Sequence, residues 1–219
     1  GNSAIGTAGT LTGASVLSFD LKNASVFVGT GGLLVDNGLA GWSADHTASA
    51  VGFQVTGASL KLATVKLGTA SYLGASVTVT DAALIGMGSV VDLHVSGTVN
   101  VNKGSAAGVA NRIDWKTATA NSVSFGLDIT KEQELHVTGS GRLAIADNVV
   151  AVINTLDLDI ATLDVVTGNS AIGTAGTLTG ASVLSFDLKN ASVFVGTGGL
   201  LVDNGLAGWS ADHTASAVG

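Results

Sequence analysis

Residues 91–102 read VDLHVSGTVNVN and residues 134–145 read ELHVTGSGRLAI. In the first stretch Val91, Leu93, Val95, Val99 and Val101 fall on every second position; in the second Leu135, Val137, Leu143 and Ile145 do. Period-two alternation turns one side of an extended chain apolar and leaves the other polar, which is the pattern of a strand with one buried face. Gly97 and Gly139 take the inward parity and mark a bend, a bulge or a close backbone approach. Three further runs alternate in the same way: Leu17 through Leu21 and on to Phe27, Leu73 through Ile85, and Val123 through Ile129. The predicted fold class is therefore all-β. Elsewhere the parity slips by one, across Thr56-Gly57 and across Ala161-Thr162. A bulge or corner has to absorb each slip, since otherwise the strand would turn its apolar side outward.

Working outward, the chain repeats on two scales. Residues 168–219 are identical to residues 1–52, an offset of 167, so 1–167 is one full repeat and 168–219 begins the next. Within the repeat, an apolar-[Ser/Thr]-Gly phrase recurs at Leu11-Thr12-Gly13, Val55-Thr56-Gly57, Val95-Ser96-Gly97 and Val137-Thr138-Gly139, and again at Leu178-Thr179-Gly180. These spacings of 40 to 44 residues suggest four diverged sub-units of about 42 residues, starting near 11, 55, 95 and 137. A unit of that size cannot bury an apolar face alone, but stacked on its neighbours it can. The expected architecture is an elongated β-solenoid-like array, with tandem antiparallel β-sandwich domains as the alternative.

Composition narrows the function. One 167-residue repeat holds eight Lys and Arg against thirteen Asp and Glu, and the whole chain carries a net charge of −7. Nucleic acid is an unsuitable partner, because phosphate binding needs a basic face. No apolar run reaches the roughly 18–20 residues of a membrane helix. There is no cysteine, hence neither a disulfide framework nor a thiolate metal site. There is no proline either, which suits long, continuously hydrogen-bonded sheet. Turn chemistry sits between the runs, at 29–32, at Asp36-Asn37-Gly38, Gly104-Ser105 and Asp147-Asn148, and at 167–169. Residues 35–50 and 103–121 read as longer surface loops carrying Trp42 and Trp115, and residues 149–155 as either a helical turn or a strand.

The phrases 24–32 (ASVFVGTGG), 49–63 (SAVGFQVTGASLKLA) and 72–87 (YLGASVTVTDAALIGM), with the two quoted first, resemble the repeats of giant bacterial repeat-rich surface and adhesin-like proteins of the LEPR-XLL type. The resemblance implies a bacterial extracellular or cell-surface location. It also implies a β-rich rod whose partners are neighbouring repeats of the same chain, with assembly into fibres, and a role in attachment or biofilm. It brings no catalytic residues, and the chain is expected not to be an enzyme.

Three groups are candidate sites. Trp42, Asp45, His46 and Trp115 could form a loop contact surface for a cell-surface glycan, with Asp45 orienting His46; the alternative is a loop whose tryptophan packs on a sheet edge. Asp157, Asp159 and Asp164 place three carboxylates within eight residues. They could begin a calcium site, which needs about six to eight oxygen ligands, or form a solvated acidic face. His94 and His136 sit at matching places before Val-[Ser/Thr]-Gly and on outward parity. Stacked units would line them up on one ridge. No other cofactor is expected.

Overall fold

The computed structural model describes residues 4–106, 108–146 and 148–219. Its strands are β1 (Ser15–Asp36), β2 (Trp42–Leu67), β3 (Ala70–Ile85), β4 (Val91–Lys103), β5 (Thr119–Ala120), β6 (Val123–Ser124), β7 (Gln133–Ile145), β8 (Val149–Val166), β9 (Thr177–Val195), β10 (Thr197–Asp203) and β11 (Trp209–Val218). Single 3-10 turns occupy Gly38–Ala40, Val109–Asn111 and Gly205–Ala207. The all-β expectation holds. Seven strands form one sheet in the order β1-β2-β3-β4-β7-β8-β9, every neighbouring pair antiparallel. Each strand pairs with its sequence neighbour in the sheet. Among the described residues there is none of the parallel coil-on-coil stacking of a β-helix.

The alternation becomes continuous apolar rungs. Leu21, Leu60, Val77, Val99, Val137, Leu158 and Phe186 lie side by side across all seven strands, and Phe19, Leu62, Ala75, Val101, Leu135, Ile160 and Leu184 form the next rung. The parity slip at Thr56-Gly57 is absorbed as expected: Gly57 has φ +61°, and the β1–β2 register shifts beside it. At Ala161-Thr162 the β8–β9 ladder runs on unbroken, and its register shift comes only between Leu163 and Val165. Gly97 faces Gly139 directly, and a Cβ on Gly97 would stand 2.4 Å from the Thr138 carbonyl, so the glycines of two sub-unit phrases mark a close backbone approach.

The opposite face of the sheet holds the core. The chain between β4 and β7 folds back over it, and Ile113, Trp115, Leu127 and Ile129 enclose Ala63, Val65 and Tyr72, with Ile5 closing the cluster. Gly74 lies flat beneath the indole, where a Cβ would meet three Trp115 ring atoms at 2.7 Å. Buried Asn102 pins the segment: its amide donates to the carbonyls of Ile113 (2.9 Å) and Thr130 (2.8 Å) and accepts from Trp115 Nε1 (3.0 Å).

Three expectations are corrected. Residues 103–121 are not a surface loop carrying an exposed tryptophan, because Trp115 is fully buried in this core. Residues 35–50 are not a long loop but a tight hairpin, Asp36 pairing with Trp42 around a single 3-10 turn. The alternating run at 123–129 makes a ladder only at Val123–Ser124; beyond it Leu127 and Ile129 are inserted into the core without strand partners. Of the two readings of residues 149–155, the strand is the one observed. Of the turn expected at Asp147-Asn148, Asp147 lies outside the described residues; Asn148 donates to the Ile145 carbonyl at 2.8 Å.

Candidate functional site: the junction between repeats

The boundary between the first repeat and the start of the second carries no linker. β8 ends at Val166, a turn follows, and β9 returns along β8 in register from Val166↔Thr177 to Val149↔Val195. Thr167 holds the turn, its hydroxyl donating to the Gly176 carbonyl at 2.9 Å and its N–H to the same oxygen at 2.8 Å. Asp164 closes the corner by accepting from Gly180 N–H at 2.8 Å. The seven-stranded sheet therefore runs across the repeat boundary.

Identical sequence appears in two settings, so each copy serves as a control for the other. Residues 32–47 fold back on their own first strand, with Ala44 N–H donating to Ser25 Oγ (2.6 Å) and His46 against Phe27 (ring centroids 5.8 Å). The second copy repeats both contacts, Ala211 N–H to Ser192 Oγ at 2.7 Å and His213 on Phe194 at 5.5 Å. In the second copy the hairpin of β10 and β11 also lies on β8 of the first. There Val150 and Val152 are fully buried. A Cβ on Gly199 would stand 2.8 Å from Val150 Cγ2. Trp209 stacks on Arg142, the guanidinium carbon 4.2 Å from the ring centre. The Asn154 amide clamps the Trp209 backbone, donating to its carbonyl (2.6 Å) and accepting from its N–H (2.9 Å), and also donates to Asn190 O (3.0 Å). Gly208 must be glycine here, since a Cβ would meet Asn154 Oδ1 at 2.4 Å and its φ is +83°. A groove of about 250 Å³, lined by His94, Ser140, Arg142 and Asn154 among others, ends at Trp209. In the first copy the equivalent hairpin overhangs the free edge of β1. Nothing lies within 4 Å of a Cβ on Gly41, Trp42 is 67% exposed and Leu34 is 75% exposed.

The sequence-derived residues fall as follows. Trp42 lies at the start of β2, whereas Trp115 is sealed in the core, so the two do not share a contact surface. In the first copy Asp45 Oδ1 accepts from the His46 backbone N–H (2.8 Å) and the ring Nδ1 lies 3.1 Å from Thr47 O, whereas in the second copy Asp212 Oδ1 also lies 3.5 Å from the His213 ring Nδ1. The three carboxylates of β8 do not converge, because Asp164 closes the corner described above. Asp157 and Asp159 are joined instead by His136, one ligand atom of each within 4.8 Å of the others, and His136 Nε2 lies 3.1 Å from Asp157 Oδ1. His94 takes its own pair, Asp81 at 2.9 Å and Asp92 at 3.4 Å. The histidines do not form a ridge: His136 pairs with Asn100, six residues along β4 from His94, which is about 20 Å.

Arg142 and Asn154 were not singled out by sequence reasoning. The available signals were slight: Arg142 is one of only two arginines, and Asn154 interrupts the apolar run 149–153. The other arginine, Arg112, is buried. It bonds Thr162 Oγ1 (2.8 Å) and pairs with Glu134 (2.5 Å), while Thr162 donates to the same carboxylate at 2.9 Å. Burial alone would push the Glu134 carboxyl up, but hydrogen bonds from Thr162 and Arg112, with the guanidinium charge, outweigh it and hold the group below its usual range. Lys116 and Lys189 are each held above the ordinary lysine value by a hydrogen bond and the charge of one carboxylate, Asp128 and Asp187 respectively.

Fold and junction together define a tandem-repeat, all-β protein with one antiparallel sheet shared between repeats. Set against models of known families, curated proteins and solved structures, the chain matches none. Among the described residues no helix is long and apolar enough to cross a membrane.

Proposed function

We propose that this chain is a structural repeat module of a bacterial extracellular or cell-surface fibre or giant adhesin-like protein, giving length, stiffness and attachment, and that it is not an enzyme. The observation that carries this reading is the junction: one copy's last strand is hydrogen-bonded to the next copy's first along its whole length. A sheet that passes through the boundary transmits tension through many parallel hydrogen bonds, where a linker would stretch. The neighbouring repeats are the partners, and side-by-side assembly into fibres follows the same logic.

Of the two layouts, the sandwich is the better supported. The ladders are antiparallel, and the two apolar rungs leave Phe19, Leu184 and Phe186 at least half exposed on one face, as in half of a sandwich awaiting its second layer. A calcium-binding module is the weaker reading. One imidazole and two carboxylates fall short of the oxygen shell calcium requires. Glycan binding through Trp42 is weaker still, because the equivalent Trp209 is occupied by Arg142 and Asn154. The test is thermal unfolding of chains holding one, two and three copies. Nearest-neighbour coupling makes the melting temperature rise with copy number; equal melting temperatures would mean independent domains and overturn the reading.

A further inference from the structure

The strand at 15–28 occurs twice, and the two copies use opposite edges. In the first copy it pairs with β2, for example Ser18↔Ala63 and Phe19↔Leu62, and its other edge is bare. In the second copy the same strand, now 182–195, pairs with β8 through that other edge, Ser185↔Asp159 and Phe186↔Leu158. The overhanging hairpin differs in the same sense, exposed at Trp42 and Leu34 but seated on Arg142, Asn154 and Val150 at its second occurrence.

We infer that the outer edge of β1 and the hairpin at 32–47 form one strand-acceptor site. Its occupant is residues 149–166 of a preceding copy of this repeat, bound antiparallel with Asp159 opposite Ser18. The proposal rests on the array reading above and gives it a partner, a register and a direction. Edge and overhang act together. The edge supplies backbone donors and acceptors, as in other cases of strand addition. The hairpin supplies selectivity, because its tryptophan needs an asparagine at 154 to clamp it, and a foreign strand would lack that residue. Like charges meet at one rung, where the occupant brings Asp157 opposite Asp20, and a lysine offsets them: Lys22 lies 3.3 Å from Asp20, as Lys189 lies beside Asp187 at the junction. The contact joins unlike surfaces and does not close on itself, so repetition yields an open filament rather than a ring. Six strands per repeat advance it by about 29 Å at the usual strand spacing.

The chain contains no cysteine, so introduced pairs report register cleanly. A synthetic peptide of residues 149–166 carrying Asp159→Cys is added to the full chain carrying Ser18→Cys. Saturable one-to-one binding and a disulfide between 18 and 159 are expected, with none when the peptide cysteine is moved to Ile160→Cys. Asn154→Ala in the peptide should weaken binding about tenfold, the size of effect that one lost set of hydrogen bonds gives. Absence of binding, equal cross-linking from both peptides, cross-linking to Ser185→Cys in place of Ser18→Cys, or disulfide-linked dimers of the Ser18→Cys chain without peptide would each overturn the proposal. The intramolecular pair Asp159→Cys with Ser185→Cys separates the two levels. If it fails to oxidise, the shared sheet and the array reading fall; if it oxidises while the peptide does not bind, the acceptor site alone falls.

Discussion

Asn102 is the side chain on which the folded-back segment between β4 and β7 depends, and replacing it tests how the core is held. In Asn102→Ala three hydrogen bonds disappear together. Two of the groups left behind, Trp115 Nε1–H and the Ile113 carbonyl, belong to buried residues, and the Thr130 carbonyl is only partly buried. An orphaned buried polar group costs about 1–3 kcal/mol. The two enclosed groups then set a loss of about 2–6 kcal/mol, and the Thr130 carbonyl adds little because water can reach it. We expect about 4 kcal/mol, a large share of the about 5–15 kcal/mol that holds a domain folded. Urea titration followed by tryptophan fluorescence measures it, and a loss under about 1 kcal/mol would refute the account. Asn102→Asp separates hydrogen bonding from packing. It keeps the acceptor for Trp115 but turns a carboxylate toward two carbonyl oxygens. Burial and those oxygens raise the new group's folded pKa above its unfolded value of about 3.9. Its stability should therefore be best below that value and fall as pH rises through the folded pKa. A variant equally stable at pH 4 and pH 7 would contradict this.

Three further outcomes follow. Trp209→Ala should destabilise the junction by about 1–3 kcal/mol, through the loss of indole burial and of a cation–π contact, whereas Trp42→Ala should change stability by less than about 0.5 kcal/mol; hydrogen exchange of the β8 amides separates the two, and equal effects would count against the junction. Glu134 has a folded pKa below its unfolded value near 4.5, so its contribution is fully present above that value and is lost as pH falls through the folded pKa; Glu134→Gln should flatten the acid limb of the stability curve below about pH 4.5, and an unchanged limb would refute the role given to Arg112 and Thr162. Calcium at millimolar concentration, or a chelator, should leave the melting temperature within about 1 °C; a calcium-dependent rise abolished by Asp157→Asn would establish the metal reading instead.

The strands were legible because alternation is a local signal, and in four of the five alternating runs the sheet followed. Two misreadings have a common cause. At 35–50 the residues are small and polar, Gly, Ala and Ser around one tryptophan, and hydrogen bonding rather than apolar alternation makes them strand. At 123–129 alternation is present, but no partner strand is within reach beyond β5, so the same pattern serves to insert Leu127 and Ile129 into the core. Trp115 was read as exposed because its neighbours are polar. Its burial depends on Gly74 and Asn102, 41 and 13 residues away. The histidine–carboxylate groups were half legible: the residues were noticed, but cross-strand register decides which of them meet. Register likewise hid Arg142 and Asn154, whose meaning comes from Trp209 in a hairpin 67 and 55 residues farther along.

Identical sequence in two positions also measures what a neighbour contributes. From Ser15 and Ser182 onward strand conformation is the same in both: Asn23 and Asn190 bulge at φ 53° and 51°, and Gly41 and Gly208 turn at 85° and 83°. Local sequence therefore fixes the path of the chain in either setting, and the overhang exists before anything occupies it. What changes is burial. Gly199 is buried where Gly32 is exposed, and Val150 under Gly199 and Val152 near Trp209 are fully buried where the next copy's hairpin reaches back. Full burial of two valines contributes about 3–6 kcal/mol, before the β8–β9 ladder and the Asn154 clamp are added. That is comparable with the stability of an ordinary domain, so a copy with a neighbour on each side is held far more firmly than one with a bare edge. Because the hairpin is preformed, little ordering entropy opposes docking, and the junction gains most of its contact energy as net cohesion. The repeat is therefore held in two ways, by its own core around Trp115 and by the junction with its neighbour.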